Sequence, residues 1–183
     1  MAAFYAWWER ELPGIGMYYD TTAHFPGAGE IGANYVSLPD RVYALVGDTI
    51  HALDAATGKT VREFKSPAGE DGKPEYWSWL AVSGDTLVAA SAPLAADPPK
   101  HLEGKAEAAR YASGSRKLAA YDRHDGKELW TREAALNFRH NNIALSTDRV
   151  FCIDSLTDAR ASALARRGVK LSGKPRMFAL DLR

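Results

Sequence analysis

The chain has 183 residues, a length for which one domain is the default expectation. Its 23 Lys and Arg residues balance 23 Asp and Glu residues, and a neutral chain without basic runs gives no electrostatic case for nucleic acid as a partner. No apolar run approaches the ~20 residues of a spanning helix, so no direct membrane span is predicted. The single cysteine, Cys152, excludes an internal disulfide and a cysteine-rich metal site.

The first 33 residues fall into two segments. Residues 1–12 are predicted to form the last strand of a preceding repeat unit, because Trp8-Glu9-Arg10-Glu11 resembles Trp130-Thr131-Arg132-Glu133 later in the chain. Residues 13–33 are rich in Gly and Pro and lack alternating apolar residues, so they are predicted to form a long connector.

Residues 34–64 have the pattern of four short strands. The predicted strands are Asn34–Leu38, Arg41–Val46, Thr49–Asp54 and Thr60–Phe64. Asp54 suits the first position of the last turn, because its carboxylate can accept hydrogen bonds from the backbone N–H groups that follow. Gly58 suits a position with positive φ, which other residues enter only with strain. The segment is therefore predicted to be a compact antiparallel unit.

Residues 76–132 repeat this pattern, with an insertion at residues 92–115. The predicted strands are Ser78–Val82, Thr86–Ser91, Lys117–Asp122 and Glu128–Arg132. The turn returns at Asp122 and Gly126, and Trp130 lies four residues after that glycine. Trp130 is predicted to pack between the second and third units, whereas Arg62 occupies the matching place in the first unit.

Residues 140–183 form a third, truncated copy. The predicted strands are Asn142–Ser146, Arg149–Asp154 and Arg176–Asp181, and the fourth is missing. Asp181 occupies the turn position. The inserted residues 155–175 are predicted to contain a helix, because Thr157 or Asp158 can cap its N-terminus and a glycine follows two arginines at its end.

Four-stranded units that recur every ~40–50 residues predict a β-propeller. The fold class is therefore predicted to be all-β: a partial β-propeller of four-stranded antiparallel blades, with one or two short inserted helices. Because the chain is expected to begin and end within a blade, the remaining blades of the same propeller are expected partners. Uncapped end sheets expose apolar surface, so the isolated chain is expected to aggregate or to form oligomers, with Trp8 and the face around Leu180 exposed.

Three segments carry a resemblance to a known family: ALDAATGK from Ala52, AAYDRHDGKELW from Ala119, and FALDLR from Phe178. They are similar to the blade signature of the quinoprotein-like (pyrroloquinoline-quinone-like, or PQQ-like) propeller repeats, and the resemblance covers residues 34–183. This repeat serves quinone dehydrogenases, outer-membrane assembly lipoproteins and other envelope proteins. The resemblance implies a location in the periplasm or cell envelope, but fold alone does not fix function.

The insertions and the connectors between units are predicted to share one rim of the propeller, where repeat proteins usually bind. The starts of the innermost strands would line the mouth of the central channel on that rim. The candidate binding residues are Asn34, Tyr76, Trp77, Trp79, His140, Asn141 and Asn142. The alternative is structural, since Asn caps strand ends and Trp fills gaps between blades. The hairpins and blade packing account for Asp54, Gly58, Asp122, Gly126, Trp130 and Asp181, so no catalytic residue is predicted.

The predicted function is that of a non-catalytic binding or assembly scaffold, with another protein or a small ligand bound at the rim. No metal site is predicted, because the five histidines are not at metal-ligand spacing.

The alternative from a different class is part of a quinone-dependent oxidoreductase. Enzymes of that kind use adjacent cysteines beside the cofactor and a calcium site, whereas Cys152 is the only cysteine here. No cofactor is therefore expected for this chain, and PQQ would require a complete propeller. A further alternative is another propeller enzyme whose catalytic residues lie outside this stretch.

Overall fold

The computed structural model describes residues 35–69, 72–92, 114–156, 158–170 and 173–183, which form ten strands and one helix. The strands are β1 (Tyr35–Ser37), β2 (Arg41–Val46), β3 (Thr49–Asp54), β4 (Thr60–Lys65), β5 (Tyr76–Ser83), β6 (Thr86–Ala92), β7 (Gly114–Asp122), β8 (Glu128–Leu145), β9 (Arg149–Asp154) and β10 (Arg176–Asp181). The helix α1 (Asp158–Arg166) lies between β9 and β10. Segments 1–12 and 13–33 and most of the insertion 92–115 lie outside the described residues.

The strands form two antiparallel sheets in simple up-and-down order. One sheet holds β1 to β4, and the other holds β5 to β10. Equivalent residue pairs recur in the two sheets: Arg41 faces Asp54, Thr86 faces Asp122, and Arg149 faces Asp181. This repeated register confirms the prediction of an all-β, partial β-propeller. Blade 1 comprises β1–β4; blade 2, β5–β7 with the first part of β8; and blade 3, the rest of β8 with β9 and β10.

Strand β8 differs from the sequence prediction, because it runs without interruption for 18 residues. Its first part pairs with β7, from Glu128 opposite Tyr121, and its last part pairs with β9, up to Leu145 opposite Val150. A connector was expected between these parts. The backbone stays extended there because Ala134, Leu136 and Phe138 alternate with exposed or half-buried residues and bury their side chains. Blades 2 and 3 therefore share one strand.

The Asp–Gly turns have the predicted geometry. Gly58 and Gly126 have φ of 67° and 80°, in the left-handed region that favours glycine. In the first turn, the Asp54 carboxylate accepts hydrogen bonds from the backbone N–H and the hydroxyl of Thr57, at 2.9 and 2.7 Å. These bonds lower the pKa of Asp54 below its ordinary value. Asp122 accepts the same kind of backbone bond from His124 at 2.9 Å.

Blade 2 is packed on both faces. Its core with blade 1 contains Tyr43, Leu45, Ile50, Ala52, Phe64, Trp77, Leu80, Leu87, Ala89, Ala119 and Tyr121. Its core with blade 3 contains Trp79, Val88, Ala90, Leu118, Ala120, Ala134, Phe138, Val150, Cys152 and Leu182. Along β6 and β7, successive side chains enter alternate cores, as the period of a strand requires. The central sheet is thus the layer on which both neighbours depend.

The two matching residues of the outer strands have different environments. Trp130 is half-buried and packs against the core between blades 2 and 3. Nearby, the guanidinium of Arg132 lies 4.4 Å from the ring centroid of Phe178 on blade 3. Arg62 lies against the turn of blade 2, where a Cβ atom added to Gly126 would be 3.0 Å from its Nη1 atom. Arg62 therefore contacts the following blade, and Trp130 packs against the core that blades 2 and 3 share.

The exposed face of blade 3 is opposite to the one expected. Leu180 is half-buried against the core between blades 2 and 3, and Leu182 is buried in it. Met177 is instead 70% exposed, because it lies three positions before Leu180 along β10 and their side chains therefore point to opposite faces. Trp8 lies outside the described residues.

Ion pairs tie the blades together at the edge that carries the Asp–Gly turns, called here the turn rim (residues 38–41, 54–59, 83–86, 122–127, 146–149 and 181–183). Arg123 of blade 2 donates from Nη1 to Oδ2 of Asp40 at 2.8 Å and from Nε to the carbonyl of Gly84 at 2.9 Å. Arg183 of blade 3 donates to Oδ2 of Asp85 at 3.2 Å. The hydrogen bond from Arg123 lowers the pKa of Asp40.

Replacement of Trp130 by Ala is expected to lower the free energy of unfolding by about 2–4 kcal/mol, somewhat less than for a fully buried Trp. Arg62→Ala, at the matching place, is expected to cost less than about 1 kcal/mol, because a half-solvated guanidinium gains little from its contact with the turn. Urea unfolding of both variants measures the difference. Equal small losses would show that Trp130 contributes little to the contact between the blades.

Tyr121 makes unfolding sensitive to alkaline pH. Its ring stands edge-on to Phe64 and Trp77, and burial raises its pKa from 10.0 to about 12. Because the folded-state pKa is raised, the stabilisation is complete below pH 10.0 and is lost as the pH rises towards 12. The urea midpoint should fall across this window, and the fall should be shallower for Tyr121→Phe, which keeps the ring. Parallel curves for the two proteins would contradict the prediction.

Candidate binding rim

The edge opposite the turn rim brings the connectors and the insertion ends together. It is called here the insertion rim and comprises residues 66–75, 91–92, 114–117, 133–141, 154–156 and 173–176. Contacts between these segments define it. Lys117 at the start of β7 donates to the carbonyl of Ala68 in the first connector, at 2.9 Å. A Cβ atom added to Gly173 would lie 3.1 Å from Leu136 on β8. The sequence predicted this shared rim from the position of the insertions.

A buried carboxylate holds the first connector. Glu75 is 3% exposed, and its Oε2 atom accepts a hydrogen bond from the hydroxyl of Ser91 at 2.6 Å. Its Oε1 atom lies 3.2 Å from Nζ of Lys117, which is itself largely buried. The backbone carbonyl of Glu75 also accepts a hydrogen bond from the hydroxyl of Ser66. One side chain thus joins the connector to the ends of β6 and β7.

A second buried carboxylate holds the middle of β8. Asp154 is 1% exposed and accepts hydrogen bonds from three successive backbone N–H groups, those of Ala135, Leu136 and Asn137, at 2.7–2.8 Å. These N–H groups are free of the ladder because the pairing of β8 with β7 shifts between Glu133 and Phe138, and the pairing of β8 with β9 begins only at Phe138. An ionised carboxylate satisfies such groups better than a neutral acceptor does. Asp154 therefore fixes β8 where it passes from blade 2 to blade 3.

Close backbone packing completes this part of the rim. A Cβ atom added to Gly114 would lie 1.8 Å from Nδ2 of Asn137, so a larger residue at the start of β7 would require the Asn137 side chain to move. Next to it, the hydroxyl of Ser115 lies 2.6 Å from that of Ser78, which also donates to the carbonyl of Ala90. The base of the blade 2 insertion is therefore firmly held on both sides.

The two candidate tryptophans lie in different cores. Trp77 is 2% exposed in the core with blade 1, where its Nε1–H donates to the carbonyl of Phe64 at 3.1 Å. Trp79 is 6% exposed in the core with blade 3. Residues two apart normally share a face, but the pairing of β5 with β6 shifts between these two residues. This bulge separates the rings and gives both of them a packing role, which was the structural alternative considered from the sequence.

The other candidate binding residues are placed only in part. Tyr76 and Asn142 are half-buried, at the start of β5 and within the last part of β8. His140 and Asn141 belong to β8, and Asn34 lies outside the described residues. Ligand binding by these five residues stays a prediction. The residues assigned to turns lie away from them, on the turn rim.

The ionisable groups of the cores are suited to packing. Cys152 is 1% exposed, and burial raises the pKa of its thiol to about 11, which keeps it protonated at neutral pH.

In the part of the chain that the structure describes, no cluster of His, Cys, Asp and Glu could hold a metal ion. Across the same residues, no helix has the length and apolar character needed to cross a membrane.

The residues that build this rim were not singled out in the sequence. Glu75 and Lys117 lie in or beside loops, where charged residues are normally solvated. Asp154 ends a strand as an ordinary turn residue would. One signal was present: Asp154 falls at the position of Ser91 in the repeat, so the same place carries a hydrogen-bonding side chain in both blades.

Comparison with known proteins gives structural likenesses alone. No family model matches the sequence, and no curated protein matches it. Among solved structures, BamB from Moraxella catarrhalis is similar at 18% identity with a TM-score of 0.36, over 64% of this chain and 29% of that chain. The WD40 domain of Neurospora crassa Pan2 is similar at 8% identity with a TM-score of 0.33, over 81% of this chain and 48% of that one. The chain thus spans less than half the length of either.

Removal of Glu75 should destabilise the protein by about 3–5 kcal/mol in the variant Glu75→Leu, because it leaves Lys117 buried without its main partner. Glu75→Leu with Lys117→Met should recover a large part of this loss. Glu133→Gln is the matched control, since this exposed carboxylate lies 3.9 Å from the same Nζ atom; it should cost less than about 1 kcal/mol. Urea unfolding gives all three values. The single variant Lys117→Met completes the cycle, and a double variant as unstable as the sum of Glu75→Leu and Lys117→Met would contradict the proposed pair.

Proposed function

We propose that the chain is part of a non-catalytic, quinoprotein-like β-propeller that acts as a binding or assembly scaffold through its insertion rim. The observation that carries the proposal is the different construction of the two rims. The turn rim is closed by short hairpins whose polar groups bond to one another, as at Asp54 and Thr57. The insertion rim carries long insertions on an anchored base, and variable loops on a rigid base are where such scaffolds bind.

The buried carboxylates support a scaffold more than a catalyst. Both oxygens of Glu75 are engaged, by Ser91 and Lys117, and both oxygens of Asp154 accept backbone N–H groups. A general acid or base needs a carboxyl that can reach a substrate. These two hold the loops in place instead, which is the task of a binding surface that must keep its shape.

Two classes of partner follow from the proposal. The remaining blades of the same propeller would cover blade 3, where Met177 is 70% exposed. Another protein or a small ligand would occupy the insertion rim. A periplasmic or envelope location belongs to the same proposal and rests on the repeat resemblance.

Site-specific photo-crosslinking tests the proposal. A photoreactive amino acid is introduced into the full-length protein in its native cells at Pro74 or Glu133 on the insertion rim, and at Ala56 or Lys127 on the turn rim. All four residues are exposed. Discrete adducts are expected from the first pair only, and mass spectrometry identifies the bound molecule. Adducts confined to the turn rim, or spread equally over both, would overturn the assignment.

The oxidoreductase alternative gives a different result. In that case, purified full-length protein would carry a quinone chromophore and would reduce an artificial electron acceptor when an alcohol or sugar is added. The scaffold proposal expects neither property, so either one would replace it.

A further inference from the structure

The charges of this neutral chain are segregated. Residues 155–176, the insertion of blade 3 with the first residue of β10, hold six Lys and Arg against one Asp, a formal charge of +5. Because the whole chain sums to zero, the other residues carry a formal charge of −5. The net charge of zero is therefore the sum of a basic segment, residues 155–176, and an acidic remainder.

Five of these cations, close together along the chain, are exposed and are called here the basic patch: Arg166, Arg167, Lys170, Lys174 and Arg176. No ion pair joins any of the five to a carboxylate of the described residues. By contrast, two arginines of the turn rim, Arg123 and Arg183, each form an ion pair with an aspartate. Arg123 lies 2.8 Å from Asp40, and Arg183 lies 3.2 Å from Asp85. These five exposed cations therefore have no ion-pair partner among the described carboxylates.

Two carboxylates of the insertion rim are already engaged. Asp154 is the cross-strand neighbour of Arg176, but it is 1% exposed and accepts three backbone hydrogen bonds. Glu133 lies 3.9 Å from Lys117. Neither one forms an ion pair with a cation of the basic patch.

The basic patch is held by the fold and carries apolar surface beside the charges. Gly168, with φ of 73°, ends the helix, and the N–H of Val169 donates to the carbonyl of Leu164 at 3.0 Å. Gly173 packs against β8 at Leu136. Val169 is 46% exposed within the segment. Cations interleaved with exposed apolar side chains are typical of protein interfaces.

We propose that the basic patch binds an acidic segment of a partner protein, one that carries carboxylates together with apolar side chains. This inference rests on the proposed function and names the chemistry of the partner at the insertion rim. A protein segment fits better than a larger polyanion. Nucleic acid or an anionic membrane extends well beyond a patch of this size and would also face the acidic remainder of the chain, whereas a short segment contacts the patch alone.

Fluorescence anisotropy tests this inference with a labelled peptide built of Glu-Leu-Glu-Ser repeats and a matched peptide in which Gln replaces Glu. The wild-type chain should bind the acidic peptide, more weakly at high salt, and should not bind the Gln peptide. Lys170→Gln with Lys174→Gln should weaken binding about three- to tenfold, as expected for two exposed charge pairs. Lys59→Gln with Lys127→Gln is the matched control, because it removes the same charge from the turn rim, and it should leave binding unchanged.

Three outcomes would overturn the inference: no binding of the acidic peptide, an equal loss in both double variants, or stronger binding to single-stranded DNA or to phosphatidylserine vesicles. The photo-crosslinking experiment is independent of this assay. Adducts on the insertion rim together with no peptide binding would leave the scaffold proposal intact and would reject the acidic partner. Adducts confined to the turn rim would reject the scaffold proposal itself, whatever the peptide does.

Discussion

The constraint on which this structure depends is that blade 2 must bury both of its faces. Along β6, Leu87 and Ala89 enter the core with blade 1, and Val88 and Ala90 enter the core with blade 3. A slip of one residue in the pairing of β6 would exchange the two sets and move each side chain into the opposite core. The Asp122–Gly126 turn opposes this slip, because it fixes the end of the β7–β8 hairpin at Tyr121 opposite Glu128. The backbone N–H of Arg123 in the same turn donates to the carbonyl of Asp85, just before β6, at 2.9 Å.

Strands that end at a turn with specific chemistry could be predicted well from the sequence. The bounds of β2, β3, β9 and β10 agree with the predicted ones, because a turn with specific chemistry stands at one end of each strand and alternation marks the rest. The continuous course of β8 could not be predicted in the same way. It depends on Asp154, which satisfies backbone groups that a strand without a regular partner leaves free. A contact between residues so far apart along the chain has no local sequence signal.

The arrangement of the candidate site was harder to predict, because it also depends on contacts between residues far apart along the chain. Simple alternation places Trp77 and Trp79 on one face, and only the bulge at Ser78 sends them into opposite cores. The residue types in this part of β5 do not predict that bulge. Glu75 and Lys117 were overlooked because charged residues beside loops are usually solvated, and their burial depends on the connector folding back over β7. The rim itself could be predicted, since it follows from topology alone.

Charged side chains therefore have different roles at the two rims. At the turn rim, two arginines join neighbouring blades. The guanidinium of Arg123 forms an ion pair with Asp40, and that of Arg183 forms one with Asp85. At the insertion rim, two buried carboxylates stabilise the base, and the cations of blade 3 above it stay exposed. Positive charge that contributes nothing to the contacts between blades raises self-repulsion within its segment. Its concentration beside the anchored loops of this rim is better explained by recognition of another molecule than by the stability of the fold.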